Sequence, residues 1–201
     1  MGINTITLVN GLQSRPSSTG PVLGTWVTRI QADAPITQGN LNPTNRILIY
    51  GDSIAVGGNA TGSTQYNAWA MKVRAAYAPD SVALEAWGSR SLHEDCSSAP
   101  LQAAFVVAMA AYAPERIWLA IGTNDYGLNK WSAAAFGAAY ASMLDALHVA
   151  MPSAIIYAQT PILRSTETAN GSGSTLGDYR AQIVSAQSSR SGFCTLVDGT
   201  A

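Results

Sequence analysis

The chain has 201 residues, a net charge of −1 and a charged fraction of 11%, less than half the share of about 25% in an average domain. That length suits one domain with a sizeable core plus decoration, and the near-neutral balance, with no cluster of Lys or Arg, excludes nucleic acid and anionic membrane surfaces as electrostatic partners. The longest apolar runs, such as 103–111, fall far short of the roughly 20 residues that a membrane-crossing helix needs.

In chain order, residues 1–45 read as a β-rich N-terminal extension. Within it, 5–10 and 22–30 have strand character and are separated by Gly, Ser and Pro without helical period. MGINTITLVN lacks the basic segment and long apolar stretch of a secretory leader, so localisation stays open between a protein without a leader and a secreted one whose leader is absent from these 201 residues. From 46 to 201, apolar runs alternate with helical segments. The runs are 46–51 (RILIYG), 81–88 (SVALEAWG), 116–122 (RIWLAIG), 153–160 (SAIIYAQT) and 193–198 (FCTLVD). Nearly continuous apolar strands belong in a parallel sheet covered on both faces.

Between the runs, 68–77, 100–112, 132–151 and 176–189 read as helices. In the third, Phe136, Tyr140, Met143, Leu144 and Leu147 form one apolar stripe, and Pro79, Pro114 and Pro152 lie just past three helix ends. Met71, Met109 and Met143 sit at helical spacing and read as core. The pattern predicts an α/β domain: a doubly wound, flavodoxin-like, five-stranded parallel sheet sandwiched by helices, with its chemistry at the carboxyl ends of the strands; the order 2-1-3-4-5 is expected because it brings the ends of the first three strands to one site. Cys96 and Cys194 are too few for a zinc cluster or a disulfide framework, and in this order they fall toward opposite edges, where no bridge is expected.

Three strand ends carry unusual sequence: Gly51-Asp52-Ser53-Ile54, Trp87-Gly88-Ser89-Arg90 and Gly122-Thr123-Asn124-Asp125. Taken singly, each has an ordinary structural explanation as a helix cap, a turn glycine or a turn pair. Jointly they place a serine hydroxyl at a strand-to-helix turn, two backbone amides (Ser53, Gly88) and one carboxamide (Asn124) on neighbouring loops, as oxyanion stabilisation in acyl transfer requires. Asp52 reads as a residue that fixes the loop. Trp87, Arg90 and Tyr126 lie beside the donors, either lining an acyl or alcohol pocket or simply packing.

GDSI at 51–54, Gly88 and GTND at 122–125 resemble blocks I, II and III of the SGNH/GDSL hydrolase family, in family order, over roughly residues 46–198. The resemblance implies a serine esterase with Ser53 as nucleophile and with Gly88 and Asn124 as oxyanion donors. By the same resemblance its expected substrates are short-chain acyl esters, with carbohydrate acetyl esters as a candidate class, and its expected partner is a small-molecule or carbohydrate ester. The family's last block is a DxxH motif after the fifth strand, whereas this chain ends Asp198-Gly199-Thr200-Ala201. Two readings follow: Asp198 is the acid with Ala201 in the histidine's place, or the DxxH segment and a final covering helix lie beyond Ala201, which the bare last strand favours. His93 follows the Gly88 loop and is a weak substitute base; His148, beside the apolar stripe, reads as structural. No P-loop, dinucleotide fingerprint or ligand cluster is visible, so neither cofactor nor metal is expected. The alternative function is a non-catalytic carbohydrate- or ligand-binding module that keeps the fold and cleft without the base.

Overall fold

A computed structural model describes residues 6–15, 22–32, 46–57, 69–77 and 81–201. The chain forms two compact units, Met1–Asn42 and Pro43–Ala201. In the first, β1 (Ile6–Arg15) and β2 (Val22–Ala32) pair antiparallel, with a register irregularity between Val9 and Asn10. Residue 5, expected to open the first strand, lies outside the described residues.

The second unit contains β3 (Arg46–Gly51), α1 (Trp69–Tyr77), β4 (Ser81–Ala86), α2 (Leu92–Cys96), α3 (Ala99–Ala110), β5 (Arg116–Ala120), α4 (Thr123–Gly127), α5 (Ala133–Ala150), β6 (Ile155–Gln159), α6 (Leu176–Ser188) and β7 (Cys194–Val197). Its five strands are parallel in the order β4-β3-β5-β6-β7, which is the expected 2-1-3-4-5. Order reverses beside β3, so the carboxyl ends of β3 and its neighbours flank the crevice where doubly wound sheets bind ligands.

Strand alternation sorts the core into two layers. Leu48 and Tyr50 of β3, Ile117 and Leu119 of β5, and Ile156 and Ala158 of β6 join α3, α5 and α6 in the larger cluster. Ile47 and Ile49 point the other way, into a smaller cluster with Ala70 of α1 and, around its rim, Val82, Ala86 and Trp118. The expected stripe of α5 is completely buried. Among the described residues this helix is the one long and apolar enough to cross a membrane, and its stripe faces the larger core cluster instead.

Helix starts are capped by short polar side chains: Ser98 accepts from the Leu101 amide, Ser132 from the Ala135 amide, and Thr175 and Asp178 form a reciprocal capping box. Coverage on the α1 side is less complete than the continuous apolar strands suggest. On β6, Ile155 is 45% exposed and Tyr157 and Gln159 are half-buried, because the nine-residue α1 packs over β3 and β4.

Candidate active site

The serine turn begins where β3 runs out of space. A Cβ on Gly51 would stand 2.7 Å from the Ala55 Cβ and 3.3 Å from the Ala120 carbonyl oxygen, so the close return of the chain over its own strand requires glycine. Successive turns follow, with the Ala55 amide donating to the Asp52 carbonyl (3.1 Å) and the Gly57 amide to the Ile54 carbonyl (3.1 Å). Asp52 is 2% exposed and its Oδ1 accepts from the Ile54 amide at 2.8 Å, a side-chain clasp around the intervening Ser53. Burial raises the Asp52 carboxyl to about 6, opposed by the Ile54 amide and assisted by the charge of Asp125. Ser53 itself is half-buried at the carboxyl end of a central strand.

The second loop turns tightly after β4, the Arg90 amide donating to the Trp87 carbonyl at 3.4 Å and Ser89 taking a φ of 62°. A Cβ on Gly88 would meet nothing within 4 Å, and its φ lies outside the left-handed region. Neither packing nor backbone conformation demands glycine there. Arg90 does not line a pocket: it is 2% exposed, its Nε donates to Asp95 Oδ2 (2.9 Å) and its Nη1 to the Glu85 carbonyl. Its guanidinium lies over the rings of both Tyr50 and Trp87, 4.3 and 3.5 Å from their centroids.

The third loop is joined to the second by two side chains. Gly122 has a φ of 122°, and a Cβ there would press on Phe136 at 3.0 Å. One N–H of the Asn124 carboxamide donates to the Arg90 carbonyl (2.9 Å); the group carries a second N–H. Fully buried Asp125 accepts from the Leu92 and His93 amides, each at 3.0 Å, and so holds the start of α2. Burial raises its carboxyl, while these two amides oppose the shift. Tyr126 is buried and donates to the Thr168 carbonyl at 2.7 Å, so its ring packs rather than lining a pocket.

A cleft opens against the serine turn, bounded by Asp52, Ile54 and Ala55 on one side and by Thr160, Pro161 and Ile162 beyond β6 on the other. Thr123, which also borders it, has a buried hydroxyl without a partner among the described residues. Asp198 reaches this neighbourhood through Thr160: the Thr160 hydroxyl donates to Asp198 Oδ1 (3.4 Å) and accepts from the Gly199 amide (2.9 Å). The Thr200 hydroxyl and amide also donate to Asp198 Oδ1, at 2.7 and 2.8 Å, and hold its carboxyl below the ordinary range.

The two histidines are engaged elsewhere. The His93 ring packs edge-on to Trp131, with centroids 4.7 Å apart, and its backbone is tied to Asp125. His148 stacks on Phe193 at 3.9 Å, beside the start of β6 and thus at the end of the sheet opposite Ser53. Among the described residues no cluster of His, Cys, Asp or Glu is arranged to hold a metal. Sequence reading missed Asp125 as the clamp between loops and Thr160 as the partner of Asp198; for Asp125 the signal was its place in the GTND segment, and for Thr160 there was none.

The fold has many solved counterparts. A lipolytic protein of the G-D-S-L family from Desulfitobacterium hafniense aligns with a TM-score of 0.59 at 16% identity, covering 77% of each chain. A family two carbohydrate esterase from Cellvibrio japonicus aligns with a TM-score of 0.55 at 20% identity, over 78% of this chain and 52% of its own. One from Clostridium thermocellum, solved in complex with cellohexaose, aligns with a TM-score of 0.59 at 19% identity, over 90% of this chain and 60% of its own. This chain therefore spans only half to three-fifths of the length of those esterases. No curated protein sequence matches it. The family model for GDSL-like lipases and acylhydrolases matches residues 49–198, from the end of β3 through the serine turn, the Gly88 and Asn124 loops and Asp198, and the chain belongs to that family.

Proposed function

We propose that the protein is a serine esterase of short acyl esters in which Ser53 is the nucleophile and the Ser53 and Gly88 amides and the Asn124 carboxamide hold the oxyanion. The observation that carries the reading is the 2.9 Å bond from Asn124 to the Arg90 carbonyl: it ties the third loop to the Gly88 turn and leaves one carboxamide N–H without a partner among the described residues. An unconstrained Gly88 supports it too, since its missing side chain leaves room for a ligand rather than for the chain.

In the reaction, the Ser53 hydroxyl loses its proton to a base as Oγ bonds to the carbonyl carbon. The tetrahedral oxyanion collapses, the C–O bond to the alcohol breaks, and the alcohol leaves with that proton. Water then repeats the sequence on the acyl-enzyme, releasing the acid and restoring Ser53. Asp198, linked through Thr160 to the cleft beside the serine turn, is the proposed approach of the base, a histidine of a DxxH segment. Acetylated carbohydrates are the proposed substrate class, in keeping with the carbohydrate esterases among the structural counterparts.

A second reading, a binding module without catalysis, is favoured by one observation: His93 packs on Trp131 and His148 on Phe193, and neither is among the residues that line the cleft beside the serine turn. Hydrolysis of p-nitrophenyl acetate above the Ser53→Ala background separates the two. The esterase reading expects a slow rate in the 201-residue chain and a rate higher by about a thousandfold once a histidine is present, either as Ala201→His or in a chain extended through a DxxH segment. No Ser53-dependent rate in any of the three would leave the binding module.

A further inference from the structure

Trp87 is a large apolar side chain that the core does not use. It is 45% exposed, immediately before Gly88, yet it is not loosely held. The Arg90 guanidinium lies over the indole, 3.5 Å from its centroid, and also over the ring of Tyr50, which is fully buried, at 4.3 Å. Arg90 in turn is fixed by Asp95 and by the Glu85 carbonyl, and the Tyr50 hydroxyl donates to the same Asp95 carboxylate at 2.8 Å. A buried ring, a fixed guanidinium and a half-exposed indole are thus held together in one cluster. Shielding the buried arginine explains the inner face of that indole. It does not explain why so large a ring keeps nearly half its surface in water, where a smaller apolar side chain suffices as a cover.

The surroundings are open and polar. Gly88 leaves space, with nothing among the described residues within 4 Å of a would-be Cβ, and Ser89 beside it is exposed. A pinned aromatic with such neighbours, and without an apolar wall from either of them, suits a ligand with one flat C–H face and hydroxyls around its edge.

We infer that Trp87 is a stacking platform for the alcohol half of the substrate, receiving the apolar face of a pyranose ring while the acyl carbonyl sits at Gly88 and Asn124. The inference rests on the esterase reading of Ser53, and it makes Trp87 a specificity residue rather than a participant in bond making. Its test is a binding measurement, so that it does not depend on turnover.

The Ser53→Ala chain is titrated with methyl 6-O-acetyl-β-glucopyranoside, phenyl acetate and ethyl acetate while the indole N–H resonance of Trp87 is followed by NMR. That resonance is expected to shift with the glucoside. Adding Trp87→Ala is expected to weaken glucoside binding by up to about tenfold, adding Trp87→Tyr by about threefold or less, with ethyl acetate unaffected by either. A circular dichroism spectrum and melting temperature close to the parent's certify that the variants fold, and Trp87→Tyr keeps the ring over Arg90 if the alanine variant does not. No detectable glucoside binding to the parent, equal weakening of glucoside and ethyl acetate, or loss of phenyl acetate alone would each overturn the inference. A hydrolysis assay without Ser53 dependence would instead overturn the esterase reading and leave the binding result standing.

Discussion

Asp52 shows how a residue beside the proposed nucleophile is tuned by burial. Its carboxyl is lifted from 3.8 to about 6 chiefly because little water reaches it. The folded protein therefore holds this proton more tightly than the unfolded chain does, so the contribution to stability is present at low pH and is lost as the pH rises from about 4 through about 6. Asp52→Asn keeps an oxygen for the Ile54 amide and removes the charge. Compared by urea unfolding, the variant is expected to gain on the parent by up to about 3 kcal/mol between pH of about 4 and about 7, the value of two pKa units. A stability difference that does not change with pH would contradict this. At the same scale the position of Ser53, Gly88 and Asn124 just past the ends of neighbouring strands was legible from the apolar runs before them. The buried packing of Arg90 and Tyr126 was not, because it depends on Asp95, Tyr50 and Thr168, contacts that no spacing rule contains.

Among the elements, the strands and long helices were readable because each carries an apolar period long enough to count. α2 and α4 have five residues each, less than two turns, and they were missed. They exist because residues distant in sequence hold them. Asp125 on α4 supplies both acceptors for the first amides of α2, across more than thirty residues of chain. Asp125→Ala leaves two donors without their partner, one of them on fully buried Leu92; at about 1–3 kcal/mol for each such group, a loss of about 2–5 kcal/mol is expected in chemical denaturation. Asp125→Asn, which retains one acceptor oxygen, should fall between alanine and the parent. If alanine matches the parent, α2 is not held by this clamp.

Over the whole molecule, hydrophobic runs and short connections made the doubly wound sheet legible and the requirement that three strand ends meet gave its order, whereas the uneven cover of the α1-side face was not legible, since residue type does not reveal how far a nine-residue helix reaches. The order also keeps the thiols apart. Cys96, on α2, and Cys194, at the start of β7, are both buried and free, and burial pushes them to about 12 and about 11. Almost no thiolate is present near neutral pH, so iodoacetamide should leave both unmodified in the folded protein and alkylate both across the unfolding transition. Rapid alkylation of either under native conditions would place that thiol at the surface.

The central claim is that three loops, gathered at the carboxyl ends of β3, β4 and β5, serve one carbonyl group. Its most direct test is kcat for p-nitrophenyl acetate in a histidine-bearing form of the chain, comparing the parent with Ser53→Ala and Asn124→Ala. Loss of the serine should return the rate to background, and loss of one oxyanion donor should lower kcat by about a hundredfold to a thousandfold. A Ser53→Ala protein as fast as its parent would contradict the account.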